Sequence, residues 1–163
     1  MTTIRNLAED DIPAAVALFA RVYPEYRWTS QAAGESYLHE ILFNNPWREL
    51  QLPSWVAEEN GRISGLYAVL PRQMLFRGRP IRVAVGCQFM VDPDRRHSLT
   101  ALQLVKACLS GPQDLTLTNG GSDTSRCTWI GIGGTAPLLY SLHWTSDSRN
   151  TEDCARHDAR GGE

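Results

Sequence analysis

The spacing of apolar residues changes several times along the chain, and each change marks an element. Ile4-Arg5-Asn6-Leu7 reads as a short opening strand. Glu9, Asp10 and Asp11 then place negative charge where a helix start favours it, and Pro13 suits a first turn. Ile12, Val16, Phe19 and Val22 share one helical face until Pro24 stops the pattern. A second, weaker helix covers Gln31 to Phe43, with Tyr37, Leu38, Ile41 and Leu42 apolar, and Asn44-Asn45-Pro46 ends it.

Strand signals follow. Ser54 to Glu58 is short and extended, Asn60-Gly61 is a two-residue hairpin turn, and Ile63 to Leu70 returns antiparallel. Met74 to Phe76 and Ile81 to Val91 flank a second turn, Arg77-Gly78-Arg79-Pro80. The run Val83 to Val91 carries few polar groups and reads as a central strand, broken by Asp92-Pro93-Asp94. Leu99 to Leu109 is a compact apolar helix closed by Gly111-Pro112. Asp114 to Thr118 alternates as a strand, and Ser122 can cap a further helix weakened by Gly131, Gly133 and Gly134. Ala136 to Trp144 reads as a last strand. From Thr145 to Glu163 there is no Leu, Ile, Val, Met or aromatic residue, so this stretch reads as a disordered tail. Early antiparallel strands followed by β-α-β units give an α/β chain of the α+β type, a mixed central sheet flanked by helices. The expected division is one domain over 1–145 and a polar tail over 146–163.

Composition narrows the function. At 163 residues the chain suits one domain, and 42% hydrophobic with 21% charged residues is ordinary for a globular protein. A net charge of -2 argues against nucleic acid or an anionic membrane as partner. The start, Met1-Thr-Thr-Ile-Arg, lacks a basic region followed by an apolar stretch, so no signal peptide is expected and a cytoplasmic location is. Cys87, Cys108, Cys127 and Cys154 are widely spaced and read as free thiols. Cys154 and His157 have a metal-ligand spacing, but no second pair completes a site, so no metal is expected.

The informative segment runs from Val91 through Asp-Pro-Asp-Arg-Arg-His-Ser to Leu99 and Val105. A strand stops, a tight loop with two arginines follows, and a helix begins at once. Amides at a fresh helix N-terminus have no partner inside the helix, so an anion there gains hydrogen bonds and the favourable end of the helix dipole.

This segment resembles the acetyl-CoA pyrophosphate loop of the GNAT N-acetyltransferase family, V-x-P-x-x-R-x-x-G-x-G/A with a leucine three residues on. Val91, Pro93, Arg96, Ala101 and Leu104 match, while Leu99 replaces the first glycine. The resemblance extends over residues 3 to about 145: Ile4-Arg5 with Glu9-Asp10-Asp11-Ile12 is similar to the family's first strand and helix, and Trp55 to Gly65 to its strand 2–strand 3 hairpin. Residues 111–118 fit its strand 5. Ser125, Arg126, Trp129, Gly133, Gly134, Pro137, Leu138, Ser141, Leu142 and Trp144 resemble a bacterial branch in which such a domain begins a longer chain. On that comparison the polar tail reads as a shortened or frame-altered C-terminus.

The resemblance implies the GNAT acyl-CoA N-acyltransferase fold, with acetyl-CoA as co-substrate and an unidentified amine as acceptor. It implies cofactor contact at Phe89, Met90, Val91, Arg96, His97, Ser98, Leu99, Thr100 and Ala101, largely through backbone amides. Direct attack of an amine on the thioester is the expected reaction, and a homo-oligomer is left open. No catalytic residue is assigned. Some relatives place a carboxylate base on the fourth strand, where this chain offers only Gln88 late in the strand; Glu58 and Glu59 on a neighbouring strand read as solvent-facing hairpin charges. Many relatives use a tyrosine in the helix after strand 5 to protonate the leaving thiolate, and here that position is Trp129, with Tyr140 as the other tyrosine to consider. Trp28, Tyr37 and Trp47 read as core or as the lining of an acceptor pocket. The rival reading is a non-catalytic GNAT-like domain that binds acyl-CoA or serves as a structural partner.

Overall fold

The fold comes from a computed structural model that describes residues 2–26, 28–95, 98–118 and 123–135. The chain divides into two compact units, Met1–Ser122 and Asp123–Glu163, each described by itself. In the first, five strands form one sheet in chain order: β1 (Thr3–Asn6), β2 (Trp55–Glu59), β3 (Arg62–Phe76), β4 (Arg79–Val91) and β5 (Leu115–Thr118). The first three pairings are antiparallel, and β4 pairs with β5 in parallel. The sheet is therefore mixed, as the pattern of hairpins followed by a β-α-β unit predicts.

Helices α1 (Ile12–Val22), α2 (Gln31–Leu42) and α3 (Thr100–Leu109) flank it. The acidic residues Glu9–Asp11 form a single 3-10 turn leading into α1, with Pro13 in the first helical turn. Ser30 caps α2, its hydroxyl accepting the Ala33 amide at 3.1 Å. On one side of the sheet Val16, Leu18 and Leu38 pack against Leu66, Ala68 and Met90. On the other, Gly65 meets α3: a Cβ there would stand against Leu104 and Thr100. Residues 65 and 66 point to opposite faces of a strand, so the two helix layers lie on opposite sides. Phe19, Trp28 and Tyr37 stack with ring centroids 5.1 Å apart and close the α1–α2 side.

Two expected strands, Ile63–Leu70 and Met74–Phe76, are one 15-residue strand. Pro71 does not break it, because β2 pairs with β3 only as far as Tyr67 and beyond that point β3 has β4 as its single partner. A missing N–H on the open side costs no ladder bond. The Asn60-Gly61 turn forms as expected, with φ of 51° and 74°, and Arg77-Gly78 repeats it at 51° and 77°.

The second unit holds α4 (Asp123–Gly131), after which Gly134 folds back on Trp129. The expected strand at 136–144, the domain boundary at 145 and the tail lie outside the described residues, as do Ser122, Tyr140, Cys154 and His157. Among the described residues no helix is long and apolar enough to cross a membrane, and no cluster of side chains has the makings of a metal site.

Candidate functional site

β4 carries two irregularities where the sequence reading placed the cofactor. Between Ala68/Val69 and their partners Gln88/Gly86 the register slips, leaving Cys87 as the extra residue of a bulge. Among the described residues, parallel pairing with β5 joins Val83 to Gly86 with Leu115 to Thr118, and β5 is described only as far as Thr118. Tyr67 lies beneath the bulge. Its ring meets Phe89 edge-on at 5.2 Å, and its hydroxyl occupies the space where Gly86 lacks a side chain.

At the end of β4 the chain turns into α3 under tight restraint. Asp92 donates its amide to the Ser64 carbonyl at 2.8 Å, and its own carbonyl accepts the Arg95 amide at 2.8 Å. Its carboxylate is 5% exposed and accepts from Arg21 Nε at 3.0 Å and an Arg62 terminal nitrogen at 2.9 Å, while Oδ1 accepts the Asp94 amide at 3.2 Å. Burial pushes this carboxyl up, but the Asp94 amide and the two guanidiniums outweigh it and hold it below the usual carboxylate range. Arg95, one of the two loop arginines, pairs with Glu59 at 2.5 Å. Glu58 binds Arg5 at 2.7 Å. Neither glutamate is the idle solvent-facing charge its hairpin position suggests.

The start of α3 is open. Ser98 donates to the Arg95 carbonyl at 2.7 Å and accepts the Thr100 amide at 3.3 Å. Leu99, the residue in place of glycine, is 69% exposed and turns away from the core, so it fills no space behind the helix start. First-turn amides of a helix have no partner inside it, which leaves this end suited to an anion. Of the expected cofactor residues, Phe89, Val91, Ser98, Leu99, Thr100 and Ala101 fall along this path. Met90 is buried with α1 and α2, so only its backbone can face a ligand. Arg96 and His97 lie outside the described residues.

Candidates for acid–base chemistry are few. Burial pushes the Cys87 and Cys108 thiols each up to about 11, and that of the Tyr67 phenol well above its ordinary value. All three stay protonated at neutral pH. Gln88, on the bulge, is half-buried and cannot take a proton. A cleft of about 120 Å³ opens beside β3 where its pairing with β2 stops, lined by Asn6, Leu42, Phe43, Glu49, Ser54 and Val69 among others. Trp28 and Tyr37 belong to the aromatic packing of α1–α2, and Trp47 stands 53% exposed.

Sequence and structure comparisons agree with this geometry. Residues 3–111 match the family model described as the acetyltransferase (GNAT) domain, and the chain belongs to that family and carries its acyltransferase domain. Similar folds include an acetyltransferase from Trypanosoma brucei, 17% identical over 90% of this chain and 99% of that one, with a TM-score of 0.66. Glucosamine-6-phosphate N-acetyltransferase from Arabidopsis thaliana is 14% identical over 91% and 99%, with a TM-score of 0.67. An aminoglycoside N-acetyltransferase in complex with CoA is 17% identical over 91% and 95%, with a TM-score of 0.65. No curated protein sequence matches the chain.

Proposed function

We propose that the chain binds acetyl-CoA along β4 and the start of α3 and transfers the acetyl group to the nitrogen of an amine. The observation that carries this reading is the path from the β4 bulge at Cys87 through the braced turn at Asp92 to the start of α3, in a chain that matches the GNAT family model over residues 3–111. An extended pantetheine can pair with the backbone of residues 87–91, and a pyrophosphate can rest on the amides of Leu99 and Ala101, those of Ser98 and Thr100 being donated to the Arg95 carbonyl and the Ser98 hydroxyl. Phe89, Met90 and Val91 would contribute there, and the family motif would add Arg96 and His97. The CoA-bound aminoglycoside acetyltransferase of the same fold supports the cofactor, and the amine acceptors in its name and in that of the glucosamine-6-phosphate enzyme support the acceptor class.

In the proposed reaction the amine nitrogen bonds to the thioester carbon, the carbon–sulfur bond breaks, the thiolate leaves with the electron pair, and the proton lost by the nitrogen passes through solvent to the thiolate. Cys87 lies at the bulge, but a thiol held at about 11 is almost entirely protonated at neutral pH. Direct attack by the amine is therefore favoured over an acetyl-cysteine intermediate. With no carboxylate on β4, positioning and backbone hydrogen bonds to the thioester oxygen supply the rate enhancement.

The test is titration with acetyl-CoA, followed by a thiol-release assay over a panel of aminoglycosides, amino sugars and polyamines. Binding with turnover of one amine class is expected. Binding with no turnover on any amine would favour an acyl-CoA-binding domain without catalysis, a reading that Trp129 in place of a tyrosine supports. No binding at millimolar acetyl-CoA would overturn both.

A further inference from the structure

The turn that carries β4 into α3 is held by one buried carboxylate, and that carboxylate gathers groups from distant parts of the chain. Arg21 comes from the last turn of α1, and Arg62 from the start of β3. Both donate to the same oxygen, Asp92 Oδ2, at 3.0 and 2.9 Å, while the other oxygen takes the Asp94 amide. Arg21 also reaches the Ile63 carbonyl at 3.3 Å. The same three-residue turn is tied to β2 through Arg95 and Glu59. An exposed loop needs none of this. A loop whose backbone must meet a ligand within a fraction of an ångström does, because a donor displaced by that much loses most of its hydrogen bond.

Placement of the two arginines sharpens the point. Two guanidiniums left without a partner would be free to draw an anion. Here both are committed to Asp92, and their charge is partly neutralised by it. The arrangement gives up electrostatic attraction for a fixed backbone.

We infer that Asp92 is a positioning residue for the cofactor: through Arg21, Arg62 and the Asp94 amide it sets the Pro93–Arg95 turn, and through the bonds from Ser98 to the Arg95 carbonyl it sets the first turn of α3, the proposed seat of the pyrophosphate. This rests on the acetyl-CoA reading above. It makes a prediction of unexpected sign. Asp92→Asn removes a negative charge near a polyanionic ligand and frees two cations, so a purely electrostatic role predicts tighter binding. A positioning role predicts weaker binding. Arg62→Met changes the charge in the opposite direction and should also weaken binding.

The experiment measures dissociation constants of acetyl-CoA and of S-acetylpantetheine, which lacks the pyrophosphate, for wild type, Asp92→Asn and Arg62→Met. Ligand-detected NMR is suited to the weaker ligand. Each measurement is made at low salt and at 0.5 M salt, where through-space charge effects are screened to within about 4–5 Å. Melting temperatures monitor folding. The expected result is a loss of about tenfold or more in acetyl-CoA affinity for both variants at both salt concentrations, with S-acetylpantetheine changed by less than about twofold. Tighter or unchanged acetyl-CoA binding by Asp92→Asn would overturn the inference, as would equal losses for the two ligands, which would mark a general structural role. If Asp92→Asn does not fold, Arg62→Met decides alone at high salt, since that side chain is 59% exposed and its loss leaves the core intact. A wild-type protein that binds neither ligand would refute the cofactor reading itself, a result distinct from any variant effect.

Discussion

Tyr67 shows how much a single buried atom can decide. The side chain is 1% exposed and its hydroxyl meets the Cys108 thiol, a weak hydrogen-bond partner that offsets little of the cost of burying a phenol. Tyr67→Phe should therefore change stability by less than about 1 kcal/mol in urea unfolding; a larger loss would show that the thiol contact stabilises the core. Gly86→Ala should destabilise by about 1–3 kcal/mol, because its Cβ would press on that hydroxyl and the ring carbon behind it. In the double variant part of that cost should disappear, a coupling a double-mutant cycle can measure. Asp11 gives a second test. Its carboxyl is held below the ordinary value of 3.8, first by the Arg5 guanidinium at 2.6 Å and then by the Ala8 amide, against the opposing effect of burial. A carboxyl depressed in the folded state adds stability that is complete above its unfolded value and lost as pH falls through the folded one. Asp11→Asn should therefore flatten the stability profile below about pH 4 without abolishing its slope, since Asp92 is depressed in the same direction. An unchanged acid profile would show that the Arg5 pair contributes nothing.

Among the elements, α3 connects stability to the site. Leu104 and Val105 anchor it to the sheet, while Leu99 at its N-cap position points outward and makes no side-chain cap. Leu99→Gly therefore removes little burial, and glycine is acceptable at this position, so the stability change should stay within about 0.5 kcal/mol. Acetyl-CoA affinity should hold or improve, because a bare backbone allows closer approach of phosphate. A large loss in calorimetric titration would mean that the leucine itself touches the ligand. The strand–loop–helix frame of this site was legible in the sequence, because periodicity and chain breakers are local signals. The clamp behind it was not. Asp92 reads locally as a strand breaker, and its partners lie 71 and 30 residues away, with nothing in the pattern around Arg21 or Arg62 to connect them.

For the molecule as a whole, a ligand that binds only the folded state must raise its melting temperature. At 100 times its dissociation constant acetyl-CoA would add about 2.7 kcal/mol of stability. Thermal unfolding at millimolar acetyl-CoA should show an upward shift, smaller with S-acetylpantetheine and absent with acetate. No shift with any of them would leave the fold without its proposed ligand.

The sequence by itself determined the element order, the two tight turns, the mixed sheet and the family, because these depend on period, turn chemistry and a contiguous motif. It also marked the strand, loop and helix start along which the cofactor is proposed to lie, since these are consecutive in the chain. Tertiary structure decided what pairwise contact alone can decide. It joined β3 into one strand past Pro71 by leaving that side unpaired, and it placed Cys87 in a bulge. It also turned Glu58, Glu59 and Arg95 from surface charges into ion pairs, and made Asp92 the point where α1, β3 and the loop meet. Each of these depends on which residues face one another across the sheet, and sequence spacing carries no record of that.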